Sequence, residues 1–385
     1  MKILLVGEYS RLHNTLKEGL IWLNHEVTLI GTGDGFKNYP VDININASFF
    51  EKPFFYFIAK VIYKLFKISL IQLESAYRFY KILPQLKGFN VIQLINENSL
   101  RTHPKLEILL LKKLIKQNRK LFLLSCGTDY ISVSYANNKK LKYSILTPLH
   151  NDFSLKKDYK YILKYITKPY KKLHKFLFKN IEGVIASDID YHIPLYDHPK
   201  YLGLIPNPIN TDKLKFVSIK NTPSKITIFH GINRLNYIKK GNRFFEEALH
   251  IIQKKYPDKI NIITTENIPY KDYIKLYNDA HIVLDQVYAY DQGYNALEAM
   301  AKGKVVFTGA EHEWLDHYNI EEDTVAINAV PDAEKIASKL EWLILNPDKI
   351  RDISKNARAF IKKEHNYIKI ANTYYNTWFN KTNKL

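Results

Sequence analysis

Strand-like and helix-like segments alternate along this chain almost from end to end, and that alternation leaves few folds open. Short apolar runs stand at Ile3–Val6, Glu26–Ile30, Val91–Ile95, Leu121–Leu124, Val184–Ala186 and Leu202–Ile205. Between them lie stretches with apolar residues at helical spacing, beginning with Leu12–Leu23. Strands joined by helices pair in parallel, so the order predicts parallel sheets with crossover helices. After Asn221-Thr222-Pro223-Ser224 the pattern restarts with Ile226–Phe229, a helix from Asn242 and Ile260–Thr264. It continues with Ile282–Leu284, a helix from Tyr294 and Val305–Phe307. A chain of 385 residues is too long for one ordinary core and suits two domains. The polar, proline-containing stretch Pro206–Ser224 is the expected linker between two α/β domains.

Composition narrows the setting. With 46% apolar residues the bulk of the chain is not disordered. A single cysteine, Cys126, excludes an intramolecular disulfide framework and a cysteine-built zinc site. The opening run Met1–Glu8 is too short for a signal peptide, and no stretch of about 18 apolar residues is present to span a bilayer. The expectation is a soluble, reduced, cytosolic protein.

The net charge of +19 has two readings. Only eight of the 57 basic residues are arginine, and lysine, asparagine, isoleucine, tyrosine and phenylalanine abound, as an AT-rich genome produces without functional intent. The other reading is an anionic partner. Two lysine-rich helical stretches lie in the first half. Lys60, Lys64 and Lys67 recur within Pro53–Leu83 beside the apolar Phe57, Ile58, Val61, Ile62 and Leu65. Lys157, Lys160, Lys164, Lys168, Lys171 and Lys175 form one stripe within Leu155–Asn180, on a helix expected to kink or break at Pro169. Such stripes suit a solvated helix face or docking on the cytosolic side of an anionic membrane. Nucleic acid is disfavoured, because no binding motif accompanies the charge and arginine is scarce.

The block Asp291-Gln292-Gly293-Tyr294-Asn295-Ala296-Leu297-Glu298-Ala299-Met300-Ala301-Lys302-Gly303-Lys304-Val305-Val306 carries the most chemistry. It reads as a glycine turn opening a helix, Gly303 closing it, and a strand. Unpaired amides and the positive dipole end of such a helix bind phosphate, and Glu298 lies one turn inside, within reach of a ribose. Upstream, Gly231-Ile232-Asn233-Arg234-Leu235 runs on to Lys239-Lys240-Gly241. Cations fixed there would lower the barrier to losing a pyrophosphate group.

The block resembles the signature of GT-B glycosyltransferases of family 4, the "glycosyl transferases group 1" proteins. Gly293, Leu297, Glu298, Ala299, Met300, Ala301, Gly303 and Val306 match. The family's first acidic position, which contacts the donor sugar, falls on Tyr290, with Asp291 next to it. The segment from Gly231 to Gly241 is similar to the family's Gly-x-Arg-Leu…Lys-Gly loop, whose Arg and Lys clamp the donor diphosphate. The spacing from Arg234 is one residue long for Lys240, which leaves Lys239 and Lys240 both open. Leu204–Thr211 resembles the connector between domains, Ile268–Asp285 the segment before the acidic motif, and Gly7…His13…Val27 the opening of the fold. Asn356-Ala357-Arg358 and the helix after His365 resemble the C-terminal end.

The resemblance implies two Rossmann-like domains facing each other across a cleft. An acceptor-binding domain would span 1–205 and a donor-binding domain 206–365, with a C-terminal helix, 366–385, crossing back to the first. The implied function is transfer of a sugar from a nucleotide-sugar donor to a surface glycan or lipid-linked acceptor, with retention. Donor-binding candidates are Gly231, Arg234, Lys239, Lys240, Asp291, Gly293, Tyr294, Asn295 and Glu298. Catalytic candidates are Asp129, in the turn Ser125-Cys126-Gly127-Thr128-Asp129, and His13, at the start of the first helix and expected to face the cleft. Asp129 reads equally as a cap of a helix or turn. No cofactor is expected, and no His/Asp cluster at ligand spacing indicates a metal. Competing readings are an epimerase or phosphorylase on the same fold, and a non-catalytic glycan- or membrane-binding relative.

Overall fold

The computed structural model describes residues 1–35, 38–219, 225–268 and 270–380. Two parallel sheets organise them. The first contains β1 (Lys2–Val6), β2 (Glu26–Gly31), β3 (Ile43–Asn44), β4 (Val91–Leu94), β5 (Lys120–Ser125), β6 (Gly183–Ala186) and β7 (Tyr201–Leu204), in the order β3-β2-β1-β4-β5-β6-β7. The second contains β8 (Ile226–Ile232), β9 (Ile260–Glu266), β10 (Ile282–Leu284), β11 (Val305–Thr308) and β12 (Ile327–Asn328), in the order β12-β11-β10-β8-β9. Every pairing is parallel. Residues of β4, β6, β10 and β11 are buried throughout, because helices cover both faces of each sheet; the strands therefore read as unbroken apolar runs.

Strand order reverses between β1 and β4 in the first sheet and between β8 and β10 in the second. Loops leaving the carboxyl ends of strands diverge at such points and open a crevice for ligands. The two crevices face each other, since one cavity is lined by Gly127, Thr128, Asp188 and Asp190 from the first sheet's loops and by Asp291, Gln292 and Gly293 from the second's.

The C-terminal helix Tyr367–Asn380 packs on the first domain against the helix Leu12–Trp22. Gly19 permits the contact, because a β-carbon there would lie 2.3 Å from the carbonyl oxygen of Tyr367. Trp378 is fully buried and its Nε1 donates to Gln93 Oε1 at 3.0 Å. Where the chain returns, the Ile209 amide donates to the His365 carbonyl at 2.7 Å and His365 Nδ1 donates to the Asn207 carbonyl at 2.8 Å.

Several expectations change. Strands β3 and β12 have two residues each, too few to leave a pattern in the sequence. The lysine stripe of Leu155–Asn180 is not one helix. It divides into a 3-10 turn Phe153–Lys157, a helical turn Lys160–Leu163, a second 3-10 turn Lys164–Ile166 and a helix Lys168–Asn180. The break falls at Thr167, which is extended (ψ 160°), and Pro169 sits in the first turn of the new helix, where its missing N–H costs nothing. In the helix Pro53–Phe66 only Ala59 is buried, and Phe57, Val61 and Leu65 lie on the surface. Residues 220–224 of the expected linker, Pro269 and residues 381–385 of the expected C-terminal helix lie outside the described residues. Among the described residues no helix is long and apolar enough to cross a membrane, and no group of three or more His, Cys, Asp and Glu is arranged to hold a metal ion.

Candidate functional site

The helix Tyr294–Ala301 starts at the cavity. Its N-cap is Gly293 (φ −73°, ψ 164°), with no side chain bonded to the free amides. A β-carbon on Gly293 would meet nothing nearer than Gln286 Nε2 at 3.9 Å, so the approach to those amides is open. Glu298, one turn in, is buried. Asn295 donates through Nδ2 to Tyr273 Oη at 3.0 Å and to Asp285 Oδ1 at 3.3 Å. Asp285 directly follows β10 at the switch point, and Lys240 Nζ donates to its Oδ1 at 2.8 Å. Gly293, Asn295, Glu298 and Lys240 thus gather around the helix start and the ends of β8 and β10.

The adjacent Lys239 goes elsewhere. Its ammonium lies 4.9 Å from the ring centroid of Tyr161 in the first domain. Burial, and then the neighbouring Lys240 charge, lower its pKa to about 8. Arg234 also stands apart from the helix start: its guanidinium pairs with Glu266 at 2.6 Å and lies over the Tyr237 ring, both at the exposed rim. Gly231 serves packing, because a β-carbon there would meet Tyr273 Cε2 at 2.2 Å.

Other candidates hold the domains together. Tyr294 Oη donates to the Pro208 carbonyl at 2.7 Å and accepts from Thr15 Oγ1 of the first helix at 2.6 Å. Asp291 Oδ2 accepts from the Ile189 amide at 3.0 Å, and its Oδ1 from the Gln292 amide at 2.6 Å. Asp190 returns the contact, accepting from the amides of Tyr290 and Asp291 at 3.1 and 3.2 Å. Burial raises the pKa values of Asp188, Asp190 and Asp291; for the first two the neighbouring carboxylate charges add to it. Tyr290, at the position of the missing acidic residue, is buried, and its Oη accepts from the Lys142 amide at 2.8 Å.

Both catalytic candidates are engaged in structure. Asp129 caps the helix Tyr130–Asn137: Oδ1 accepts from the Ser132 amide at 2.7 Å and Oδ2 from the Ser125 hydroxyl. His13 is fully buried rather than open to the cleft. Its Nδ1 donates to the Gly7 carbonyl at 2.8 Å, and burial drives its pKa down to about 3, so the ring is neutral.

Residues 234–376, which carry the Lys240–Asp285 pair, the Gly293 turn and Glu298, match the family described as glycosyl transferase-like. The chain has the GT-B fold. Its fold is similar over 99% of both chains to sucrose-phosphate synthase from Thermosynechococcus elongatus, at 15% identity and a TM-score of 0.63. Anabaena HepE, solved with UDP and glucose, superposes over 99% of this chain and 100% of its own at 14% identity and a TM-score of 0.59. S. aureus MnaA, solved with UDP, covers 100% of this chain with 98% of its own at 11% identity and a TM-score of 0.54. No curated protein matches the sequence.

Some cleft residues of this GT-B chain escaped the sequence reading. Asp188 and Asp190 follow β6, Asp285 follows β10, and Glu8 follows β1. Glu8 is buried, its Oε2 accepts from the amide and Nδ2 of Asn14, and burial raises its pKa to about 7. The available signal was position: carboxylates just past the carboxyl end of a parallel strand sit where ligands bind in open α/β sheets.

Proposed function

We propose that the protein transfers a sugar from a nucleotide-sugar donor to a surface-glycan or lipid-linked acceptor, with retention. The observation that carries this reading is the family match over residues 234–376, on a helix start left open by Gly293 with a buried Glu298 one turn inside. The donor diphosphate lies against the amides of that helix, and Lys240 turns from Asp285 toward it. Glu298 accepts from the ribose hydroxyls. In the reaction the bond from anomeric carbon to phosphate oxygen breaks and a bond to the acceptor oxygen forms. The acceptor proton passes to the departing phosphate. Charge develops on that phosphate in the transition state, and amides and an ammonium held in place stabilise it without reorganising. The first domain takes the acceptor, and the cavity by Gly127, Thr128, Asp188 and Asp190 supports that placement.

The test is release of nucleoside diphosphate from a panel of nucleotide sugars, with and without lipid-linked acceptors. Turnover of one donor that rises with an acceptor, and product of unchanged anomeric configuration, is the expected result. Glu298→Ala should weaken binding of the nucleoside diphosphate about tenfold or more, the worth of a charge-assisted contact. Absence of turnover with every donor favours a binding protein instead.

A further inference from the structure

The helix Pro53–Phe66 has two apolar faces, one inner and one exposed. Phe55, Ile58, Ala59 and Ile62 form the partly buried stripe that packs inward, beside the helix Leu70–Ile82. Spacings of three, four and four residues line up Phe54, Phe57, Val61 and Leu65 along the helix about a quarter-turn round from that stripe, with Lys60 and Lys64 beyond them on the side facing away from it. Their exposures are 70, 67, 41 and 68%. An apolar row left in water on one helix is the mark of a docking surface rather than of scattered exposure. Lys60, Lys64 and Lys67 flank the row, and no acidic residue occurs between Lys52 and Ser69.

We propose that this helix lies flat in the headgroup layer of an anionic lipid bilayer. Phe54, Phe57, Val61 and Leu65 face the acyl chains, and Lys60, Lys64 and Lys67 reach the lipid phosphates. The chemistry of the surface selects this occupant. A strongly apolar face beside unopposed lysines matches a surface that is apolar beneath and anionic above. A second copy of the chain fits worse, since a two-fold interface would set these lysines against themselves. The nearest carboxylate on the adjoining helix does not repel lipid phosphate, because Glu74 is held by the amides of Phe49 and Phe50 and by Arg78. That helix adds Leu73, Tyr77 and Tyr80, exposed by 42, 56 and 51%, and tyrosine favours the membrane–water boundary. With 14 residues the helix is too short to span the hydrocarbon core, which needs about 20, so it lies in the plane.

Topology starts this helix on the cleft side of the first sheet. The chain leaves β3 at its carboxyl end, the end of the sheet that faces the cleft, and enters the helix after residues 45–52. Docking does not rest on the proposed transfer chemistry.

The experiment is sedimentation of the full chain with phosphatidylcholine vesicles, with and without phosphatidylglycerol, at low and high salt. Wild type should pellet with the anionic vesicles. Phe57→Ser with Leu65→Ser should lower the partition coefficient about tenfold or more while leaving the melting temperature unchanged. Replacing Lys60, Lys64 and Lys67 by Gln should weaken binding and remove most of its salt dependence. In Phe57→Trp, the emission added over wild type should shift to the blue on anionic vesicles. Wild type that stays in solution with anionic vesicles at low salt overturns the proposal. So does equal binding by the serine pair, or loss of binding only when Lys157, Lys160 and Lys164 are changed. A dimer dissolved by the serine pair, with no vesicle binding by either protein, would assign the face to a second copy and overturn it as well.

Discussion

Replacing each lysine of the Lys239-Lys240 pair in turn separates two roles that adjacent residues hold. Lys240 Nζ lies 2.8 Å from Asp285 Oδ1, with the lysine side chain 31% exposed and the aspartate 1%. Lys240→Ala leaves Asp285 with Asn295 Nδ2 and Thr308 Oγ1, both at 3.3 Å, and with no paired cation among the described residues. Breaking a buried pair from one side costs about 3–5 kcal/mol, and solvent around the lysine reduces this to about 2 kcal/mol. In a domain of this size the melting temperature should then fall by about 4–8 °C. Loss of a charge-assisted contact to the diphosphate, about 1.5–3 kcal/mol, raises Kd by roughly tenfold to more than a hundredfold. Lys239→Ala instead loses a contact to the Tyr161 ring, worth about 0.5–1 kcal/mol, and should leave nucleotide affinity within about twofold. Calorimetry with UDP at 15 °C, where both variants remain folded, measures the difference. Unchanged affinity in Lys240→Ala together with a large loss in Lys239→Ala would refute the assignment of the diphosphate to Lys240.

Glycine substitutions should sort the same region. Gly293→Ala, with open space and φ −73°, should change stability by less than about 1 kcal/mol yet weaken UDP binding, whereas Gly231→Ala meets Tyr273 and should cost about 1–3 kcal/mol in thermal denaturation. Glu8 gives a pH dependence. Its pKa is raised from 4.5 to about 7, so the folded state holds the proton more tightly and this contribution, at most about 3 kcal/mol, is present at low pH and lost as pH rises toward 7. Glu8→Gln keeps an acceptor for Asn14 without the titration, and its melting temperature should vary less than that of wild type between pH 5 and 8; equal slopes would rule the group out. Asp190→Ala frees the amides of Tyr290 and Asp291 at the domain boundary, so small-angle scattering should give a larger radius of gyration without ligand. Saturating donor should shrink it again, and no change with donor in either protein would indicate a cleft of constant width.

The sequence alone determined the parallel sheets and the turn at Gly293. Continuous apolar runs such as Val184–Ala186 and Val305–Phe307 arise because both faces of a parallel strand are covered, and that burial is written locally, residue by residue. A glycine ahead of an apolar-periodic helix is likewise a local signal. Only the tertiary structure decided what the polar residues around the cleft do. Asp291 meets Ile189, and Tyr294 meets Thr15, across 102 and 279 residues of chain, distances over which no periodicity or spacing carries information. Lys239 and Lys240 are indistinguishable as letters, and they part because one side chain turns to Tyr161 and the other to Asp285. Asp129 fits a site as well as a cap until the Ser125 hydroxyl and the Ser132 amide are seen to occupy it. The helix Pro53–Phe66 shows the limit from the other side. Its periodicity reveals apolar residues on two faces, but which face finds a partner depends on the neighbour that packs there, and among the described residues only the inner face has one.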